Sequence, residues 1–363
     1  MAKENPIKRI FDLYTSDLSF EEIQRLIKRE STEVYEYFAA DLPKTDDTKN
    51  KFSRALIFVR NLFNAFLLKM KPARRIFYLA ALLFFAVGYF QEINSYLIAG
   101  FLILNFLIAF ELADKLTAKD ELALARKIQS DLIPKEPPEN KHYEIASYYE
   151  SAKEVGGDYF DIIEGQGPPK KTYIVIGDIS GKGMGAALYM TRVQAIIQLL
   201  IANFNNVKDV IINLKKYFSR NLRKEYFLTI VIASIDGRGG IRVCRAGHSP
   251  VLHYKYQEDT FEELNPKGLG IGLNDKGTFE KVLEEVKAQP KKNDLLVFYT
   301  DGLTETMNNR KNQFGLNTLK RIIRQNADSY TDKIKDEILK EVSIFRGDAA
   351  KSDDLTLIIL KRK

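Results

Sequence analysis

The sequence predicts an α+β fold, in which a β-sandwich flanked by helices is preceded by a linker helix and a two-helix transmembrane hairpin. Three observations carry this prediction. From about Tyr143 onward, apolar runs have the length and composition of strands. Helical segments fall in groups between these runs and do not alternate with them, which favours α+β over a parallel α/β fold. Before Tyr143, a long apolar stretch is almost free of charge.

The first 70 residues are predicted to form a helical segment in the cytoplasm. Ser19 and Glu22 make a capping box, and apolar residues follow it at helical spacing. Residues 55–68 could form an amphipathic helix at the membrane interface or an ordinary packed helix. The sequence leaves both interpretations open.

Residues 71–112 are predicted to hold two transmembrane helices, at about 76–91 and 95–110. Their apolar cores, 76–90 and 96–110, contain 15 residues each, which is shorter than the roughly 20 that span a bilayer. Tyrosines at the ends of these runs could sit at the membrane interfaces and extend the spans. The alternative is a buried helical hairpin in a soluble dimer.

The charge distribution gives these helices an orientation. The net charge is +7, and the eight basic residues between Thr48 and Gln91 have no acidic residue among them, so the rest of the chain has a net charge of −1 (7 minus 8). Basic residues beside an apolar segment indicate the cytoplasmic side of a membrane and not a nucleic-acid surface. We therefore expect a multi-pass membrane protein, with its N-terminus and the domain after the two helices in the cytoplasm and no nucleic-acid partner.

Residues 113–133 are predicted to form the linker helix, which should end at Ile133 because prolines follow. An apolar stripe from Leu122 to Leu132 gives weak support for a coiled coil, so a homodimer through this helix is an open alternative. Movement of this helix could regulate the domain that follows it.

Residues 134–363 are predicted to form the domain that follows the linker helix. Helices are expected at 186–201 and 207–223, between the third and fourth strands, and at 317–325 and 331–345, before the last strand. The strand-like runs are YEIASYYE, DYFDII, TYIVIGD, YFLTIVIASID, IRVCRAG, PVLHY, FEKVLEEV, DLLVFYT and LTLIILK.

Four aspartates lie at strand-ending turns of this domain: Asp158 in GGD, Asp178 in GDISG, Asp301 in TDG and Asp353 in DDLT. Carboxylate oxygens are the ligands that Mg²⁺ and Mn²⁺ prefer. A single Asp-Gly is more often a β-turn, which is the better interpretation of Asp236. Four acidic turns in one domain indicate a metal cluster.

Other kinds of site are not expected. The single cysteine, Cys244, cannot form a disulfide within the chain, and it has Pro250 six positions on where a Cys-x5-Arg phosphatase has arginine. The three histidines lack the spacing of a zinc pair on a helix. The turn after Gly177 lacks the spacing of a P-loop, and in GGDYF Tyr159 replaces the acid of the nucleotide-cyclase signature.

The motifs of the domain resemble, in order, those of the metal-dependent protein phosphatases (PPM, or protein phosphatase 2C-like), in their bacterial SpoIIE/RsbU-type branch. The resemblance covers about residues 122–362 and implies a pair of Mn²⁺ or Mg²⁺ ions in a cleft at the edge of a β-sandwich. It also implies hydrolysis of phosphoserine or phosphothreonine by a water that the two metals activate. The runs that carry it are ARKIQSDLIP, EVGGDYFD, DISGKGMGAAL, RAGHSP, GLGIG, YTDGLTE and DDLT.

The resemblance implies roles for the motif residues. Asp178 would bridge both metals, and the backbone carbonyl of Ile179 would complete the ligand set of the first metal. Asp158 and Asp178 would be the catalytic residues, acting through the metals that they hold. Asp158, Asp301 and Asp353 would hold the second ion, with Asp354 as the alternative to Asp353. Lys182 could contact substrate phosphate or be an ordinary solvated lysine. The glycines expected to shape the site are Gly156, Gly157, Gly181 and Gly302.

One role stays unassigned. Eukaryotic members have a histidine, proposed as the general acid, where this chain has Ser180, so water in the metal site is the simplest proton donor. His248 in RAGHSP is expected to support the fold. The sequence thus predicts a membrane-anchored serine/threonine phosphatase acting on a regulatory protein, such as an anti-sigma-factor antagonist in signal transduction. The alternative is a catalytically silent scaffold or receptor module.

Overall fold

The structure is a computed structural model that describes residues 51–165, 170–273 and 277–363. These residues belong to two compact units, which divide between Thr117 and Ala118. The predictions for the first 50 residues, including the Ser19–Glu22 capping box, lie outside the described part of the chain.

The described residues of the first unit form helices, and the last of these continues past Thr117. Helix α1 covers Lys51–Lys69, α2 covers Pro72–Phe90, and α3 covers Asn94–Leu132. The predicted second transmembrane segment and the predicted linker therefore lie in one continuous helix of 39 residues. Both α2 and α3 are long and apolar enough to span a membrane.

Close packing and ion pairs hold the hairpin of α2 and α3. Gly88 has no room for a side chain, because a Cβ there would lie 2.9 Å from Leu97. At the other end of the hairpin, Arg74 pairs with Glu111 at 2.7 Å and with Asp114 at 2.9 Å. The hairpin is therefore fixed at both ends by contacts within the first unit.

The described residues of the second unit form ten strands in two antiparallel sheets. One sheet has the strand order β1-β10-β9-β6-β7, and the other has the order β2-β3-β4-β5-β8. The strands are β1 (Tyr143–Glu150), β2 (Asp158–Glu164), β3 (Thr172–Ile179), β4 (Leu228–Ile235), β5 (Ile241–Ala246), β6 (Val251–Lys255), β7 (Thr260–Leu264), β8 (Glu285–Ala288), β9 (Leu295–Tyr299) and β10 (Leu355–Arg362).

The alternation of side chains along β9 and β10 explains the layers of this unit. Leu296 and Ile358 face the core shared with the other sheet, whereas Val297 and Ile359 face a second core. Helices cover that second core, and a different pair of helices packs on the β2–β5 sheet. The helices of the unit are α4 (Met184–Asn203), α5 (Val207–Phe218), α6 (Phe279–Val282), α7 (Asp301–Thr304), α8 (Leu316–Asn326) and α9 (Thr331–Arg346).

The predicted β-sandwich flanked by helices is therefore confirmed. Helix α4 is also apolar and long enough to span a membrane. Its buried side chains, such as Met190 and Ile197, lie in the core of the sandwich. Its apolar character is thus accounted for by packing against the sheet.

One strand prediction was wrong, and one strand was not predicted. The run FEKVLEEV contains the short helix α6 before β8, because Phe279 and Leu283 are buried at a spacing of four, which suits a helical turn. Strand β7 was not predicted, because TFEEL is mostly polar and lies at a sheet edge with exposed side chains.

Candidate metal centre

Strand pairing brings the four predicted aspartates to one edge of the sandwich. Asp158 at the start of β2 lies directly opposite Asp178 near the end of β3. In the other sheet, Tyr299 at the end of β9 pairs with Leu357 near the start of β10, so Asp301 and Asp353 lie next to these paired ends. The edge therefore carries one pair of carboxylates from each sheet.

Two threonine hydroxyls connect the sheets at this edge. Asp158 is almost fully buried, and its Oδ2 accepts hydrogen bonds from Thr300 Oγ1 at 2.8 Å and from Thr356 Oγ1 at 2.6 Å. Both threonines belong to the opposite sheet or its strand end. They fix the position of a carboxylate that is 142 residues or more away in the sequence.

The carboxylates destabilise one another's charged forms. Burial, and then the charge of Asp178, raise the pKa of Asp158 well above its usual range. Burial, followed by the charges of Asp301 and Asp353, raises the pKa of Asp178 to about 7. Partial burial and the charge of Asp353 also raise the pKa of Asp301. Extra positive charge at this edge would relieve all of these unfavourable interactions.

Asp353 and Asp354 have different surroundings. The carboxylate of Asp354 is buried and accepts backbone N–H bonds from Ala152 at 2.8 Å and Gly157 at 2.6 Å, with a longer one from Asp158 at 3.4 Å. Asp353 is half-exposed, and its Oδ2 lies 2.9 Å from Nζ of Lys182. Asp354 therefore holds the GGD turn in place, and Asp353 faces the cluster.

Close approach explains the glycines around the cluster. A Cβ on Gly157 would lie 2.8 Å from the carbonyl oxygen of Ile179, and one on Gly302 would overlap the backbone of Asp354. A Cβ on Gly156 would overlap the hydroxyl of Tyr149. These glycines let three chain segments meet where side chains would keep them apart.

Gln129 contributes to the site, although sequence reasoning gave it no role. Its buried amide donates from Nε2 to the carbonyl of Gly156 at 2.7 Å and accepts at Oε1 from the N–H of the same residue at 3.0 Å. Gln129 lies in the run ARKIQSDLIP, while Thr300 and Thr356 lie in YTDG and DDLT. These three residues lie within the motifs identified in the sequence, but their contacts are seen only in the structure.

His248 is part of the fold around Asp178. The imidazole is buried, with Nδ1 2.8 Å from Oγ1 of Thr229, and Thr229 pairs with Asp178 in the register of β3 and β4. Burial, together with the charge of Arg245, lowers the pKa of His248 to about 4. The ring is therefore neutral near pH 7 and is not the imidazolium that a general acid would need. The turn at Asp236, where Oδ1 accepts two backbone N–H groups, confirms the structural interpretation of that residue.

The donor set fits a divalent cation. Four carboxylates and the Ile179 carbonyl supply the hard oxygen ligands that Mg²⁺ and Mn²⁺ prefer. Within the described ranges, no three His, Cys, Asp or Glu side chains are close enough to form a complete ion site. Like charges repel one another, so a bound ion would have to draw these carboxylates together.

Comparisons with known proteins agree with this geometry. The family model of Stage II sporulation protein E (SpoIIE) matches residues 168–363, which is more than half of the chain. The phosphoserine phosphatase RsbU of Bacillus subtilis (strain 168) is 27% identical over 251 residues, covering 68% of this chain and 71% of RsbU. The phosphoserine phosphatase RsbP of the same organism is 27% identical over 260 residues, 69% of this chain and 59% of RsbP.

Solved structures show the same fold. The SiaA-PP2C domain of Pseudomonas aeruginosa has a TM-score of 0.59 at 16% identity and covers 69% of this chain and 98% of its own. The PP2C phosphatase domain of SpoIIE from Bacillus subtilis, solved with a fragment of its regulatory domain, has a TM-score of 0.51 at 18% identity and covers 62% of this chain and 64% of its own.

Proposed function

Because the chain belongs to the SpoIIE family of serine phosphatases, we propose that it removes phosphate from phosphoserine or phosphothreonine at the carboxylate cluster. It is a protein serine/threonine phosphatase with the PP2C fold. The observation that carries the proposal is that Asp158, Asp178, Asp301 and Asp353 meet at one edge of the two sheets. A silent scaffold would not need four carboxylates that repel one another.

The proposed cofactors are two Mn²⁺ or Mg²⁺ ions. Asp178 and the carbonyl of Ile179 would hold the first ion, with Asp178 shared between both, and Asp158, Asp301 and Asp353 would hold the second. When bound, such ions lower the pKa of a water that they hold towards neutral pH, and they neutralise the charge of phosphoryl oxygens. Metal dependence is typical of PP2C-like phosphatases.

The surrounding residues keep these ligands in position. Thr300 and Thr356 leave Asp158 few orientations, because both hydroxyls donate to one of its oxygens. Asp354 and Gln129 hold the backbone of the GGD turn from two sides. This arrangement supports Asp353, and not Asp354, as the metal ligand, because the oxygens of Asp354 already accept backbone N–H groups.

The proposed substrate is a phosphorylated regulatory protein, such as an anti-sigma-factor antagonist. The likeness to RsbU and RsbP, both phosphoserine phosphatases, supports a protein phosphoserine substrate. The proton for the leaving serine oxygen would come from water, since His248 is buried and neutral.

We also propose that residues 71–112 anchor the chain in the bacterial inner membrane. Support comes from the apolar surface of α2 and α3, where Phe90 and Phe106 are well exposed. The basic residues before α2 would place the N-terminus and the phosphatase in the cytoplasm. A homodimer through the end of α3, around residues 113–133, is a further part of the proposal.

The test is manganese-dependent release of phosphate from a phosphoserine protein. Removing the bridging carboxylate with Asp178→Asn should lower the rate about a thousandfold or more, since it removes stabilisation of developing charge in the site. The Asn side chain is nearly the same size, so the fold should be kept. Equal rates for the wild type and the variant would rule out the proposed site.

A further inference from the structure

Lys182 lies at the tip of the turn that follows Asp178. The turn connects β3 to α4, and the glycines on both sides of the lysine, Gly181 and Gly183, have φ values of +93° and +78°. Residues with a Cβ rarely adopt this left-handed conformation. The sharp turn places the lysine side chain beside the carboxylate cluster, where it is about half-exposed.

From this position the ammonium group reaches the opposite sheet. Its Nζ lies 2.9 Å from Oδ2 of Asp353, and it also donates a short hydrogen bond to the carbonyl of Ser352. Both acceptors belong to the loop that precedes β10. Lys182 thus joins the Asp178 turn and the Asp353 loop, which come from different sheets.

The positive charge of Lys182 acts on more than its direct partner. It also favours the charged forms of Asp178 and Asp301, against the repulsion between the carboxylates. A divalent ion held by the cluster would perform this same neutralisation. The ammonium and the ion therefore compete for Asp353, because two cations held close to the same carboxylate repel each other.

We propose that Lys182 is the internal counter-ion of the carboxylate cluster, which holds Asp353 in the metal-free protein and is displaced when a divalent ion binds. This inference rests on the proposed function, because it assumes that the cluster binds metal. Displacement of the lysine lowers metal affinity, so the site binds metal more weakly than its carboxylates alone would.

The test is calorimetric titration of the metal-free, detergent-solubilised full chain with MnCl₂. Lys182→Met keeps the length of the side chain and removes its charge, so it should lower the dissociation constant for Mn²⁺ about two- to fivefold, the size of a half-exposed ion pair. Lys182→Gln should act in the same direction. Lys182→Arg keeps the charge and should bind Mn²⁺ as the wild type does.

Lys351→Met is the matched control. Lys351 lies on the same loop as Asp353 but pairs with Glu150, so removing its charge should leave Mn²⁺ affinity within about twofold of the wild type. A second readout is thermal unfolding. Lys182→Met should lower the midpoint of the metal-free protein slightly and leave that of the Mn²⁺-saturated protein unchanged, because the ion pair exists only without metal.

The outcomes separate the two proposals. Wild-type protein that neither binds Mn²⁺ nor releases phosphate would contradict the metal site and, with it, the role of Lys182. Wild-type protein that does both, together with Lys182→Met and Lys182→Gln variants that bind Mn²⁺ no more tightly, would overturn the counter-ion role alone. An equal gain in affinity from Lys351→Met would also overturn it, since any lost surface charge would then suffice.

Discussion

The two compact units of the chain each place a side chain in surroundings that do not suit it in water, but the side chains are of opposite kinds. In the unit after Thr117, the carboxylate of Asp158 is only 2% exposed and lies among other acids. In the unit before it, Phe90 on α2 is 82% exposed, although it is large and apolar. Each arrangement is unfavourable in water alone. The difference fits the two proposed partners, a cation at the carboxylates of one unit and an apolar environment around the helices of the other.

The largest expected effect concerns the stability of the metal-free protein and comes from the carboxylate of Asp178. The pKa of Asp178 is about 7 in the folded protein and 3.8 in the unfolded chain. Below about pH 4 both states hold the proton, and the group does not affect stability. As the pH rises from 4 to 7, the unfolded chain loses this proton first, so the metal-free protein should become less stable by a few kcal/mol.

Saturating MnCl₂ should remove this loss of stability between about pH 4 and pH 7, because the cation stabilises the ionised carboxylates. The measurement is the midpoint of thermal unfolding at pH 5 and pH 7.5, with and without MnCl₂. Asp178→Asn is the control and should show a weaker dependence on pH. Metal-free wild-type protein that gains stability up to pH 7.5 would contradict the raised pKa values.

The comparison also shows which features the sequence could predict. Strands such as β1 and β10 were predicted because long apolar runs determine them locally. The carboxylate cluster was found because each aspartate carries its own glycine-containing or acidic motif. The roles of Thr356 and Gln129 were not found, because their partners lie 198 and 27 residues away, and no local pattern marks such a contact. Residues 279–282 were misassigned because short apolar runs suit a helix or a strand equally.

The second effect tests the apolar environment of the first unit. Phe101 on α3 is 59% exposed. If it faces lipid, Phe101→Asp should cost about 3 kcal/mol on insertion and reduce the share of protein in the carbonate-washed membrane fraction. On a helix that faces water, the same change should alter stability by less than about 0.5 kcal/mol.

Two controls make this test specific. Phe101→Leu keeps an apolar side chain and should leave the membrane fraction unchanged. Ile344→Asp places the same charge on α9 of the phosphatase unit, at a residue that is 67% exposed, and should not change partitioning. If Phe101→Asp behaves like Ile344→Asp, or if the wild type is found in the soluble fraction, the proposed anchor is wrong. The phosphatase proposal would not be affected.

The smallest effect separates two adjacent acids within the phosphatase unit. Asp354→Asn should lower the free energy of unfolding by about 1–3 kcal/mol, because an amide has one acceptor oxygen, whereas this carboxylate accepts N–H groups at both oxygens. Asp353→Asn should leave the stability of the metal-free protein nearly unchanged, because its ion pair with Lys182 is half-exposed.

Activity should respond in the opposite order. Asp353→Asn removes a proposed metal ligand, so it should raise the Mn²⁺ concentration needed for half-maximal phosphate release much more than Asp354→Asn does. Measuring the free energy of unfolding and the half-maximal Mn²⁺ concentration for both variants distinguishes a metal ligand from a residue that positions the GGD turn. If Asp354→Asn weakens Mn²⁺ binding more and keeps full stability, the two assignments must be exchanged. The buried acid would then be the ligand, and its bonds to Ala152 and Gly157 would have to break when metal binds.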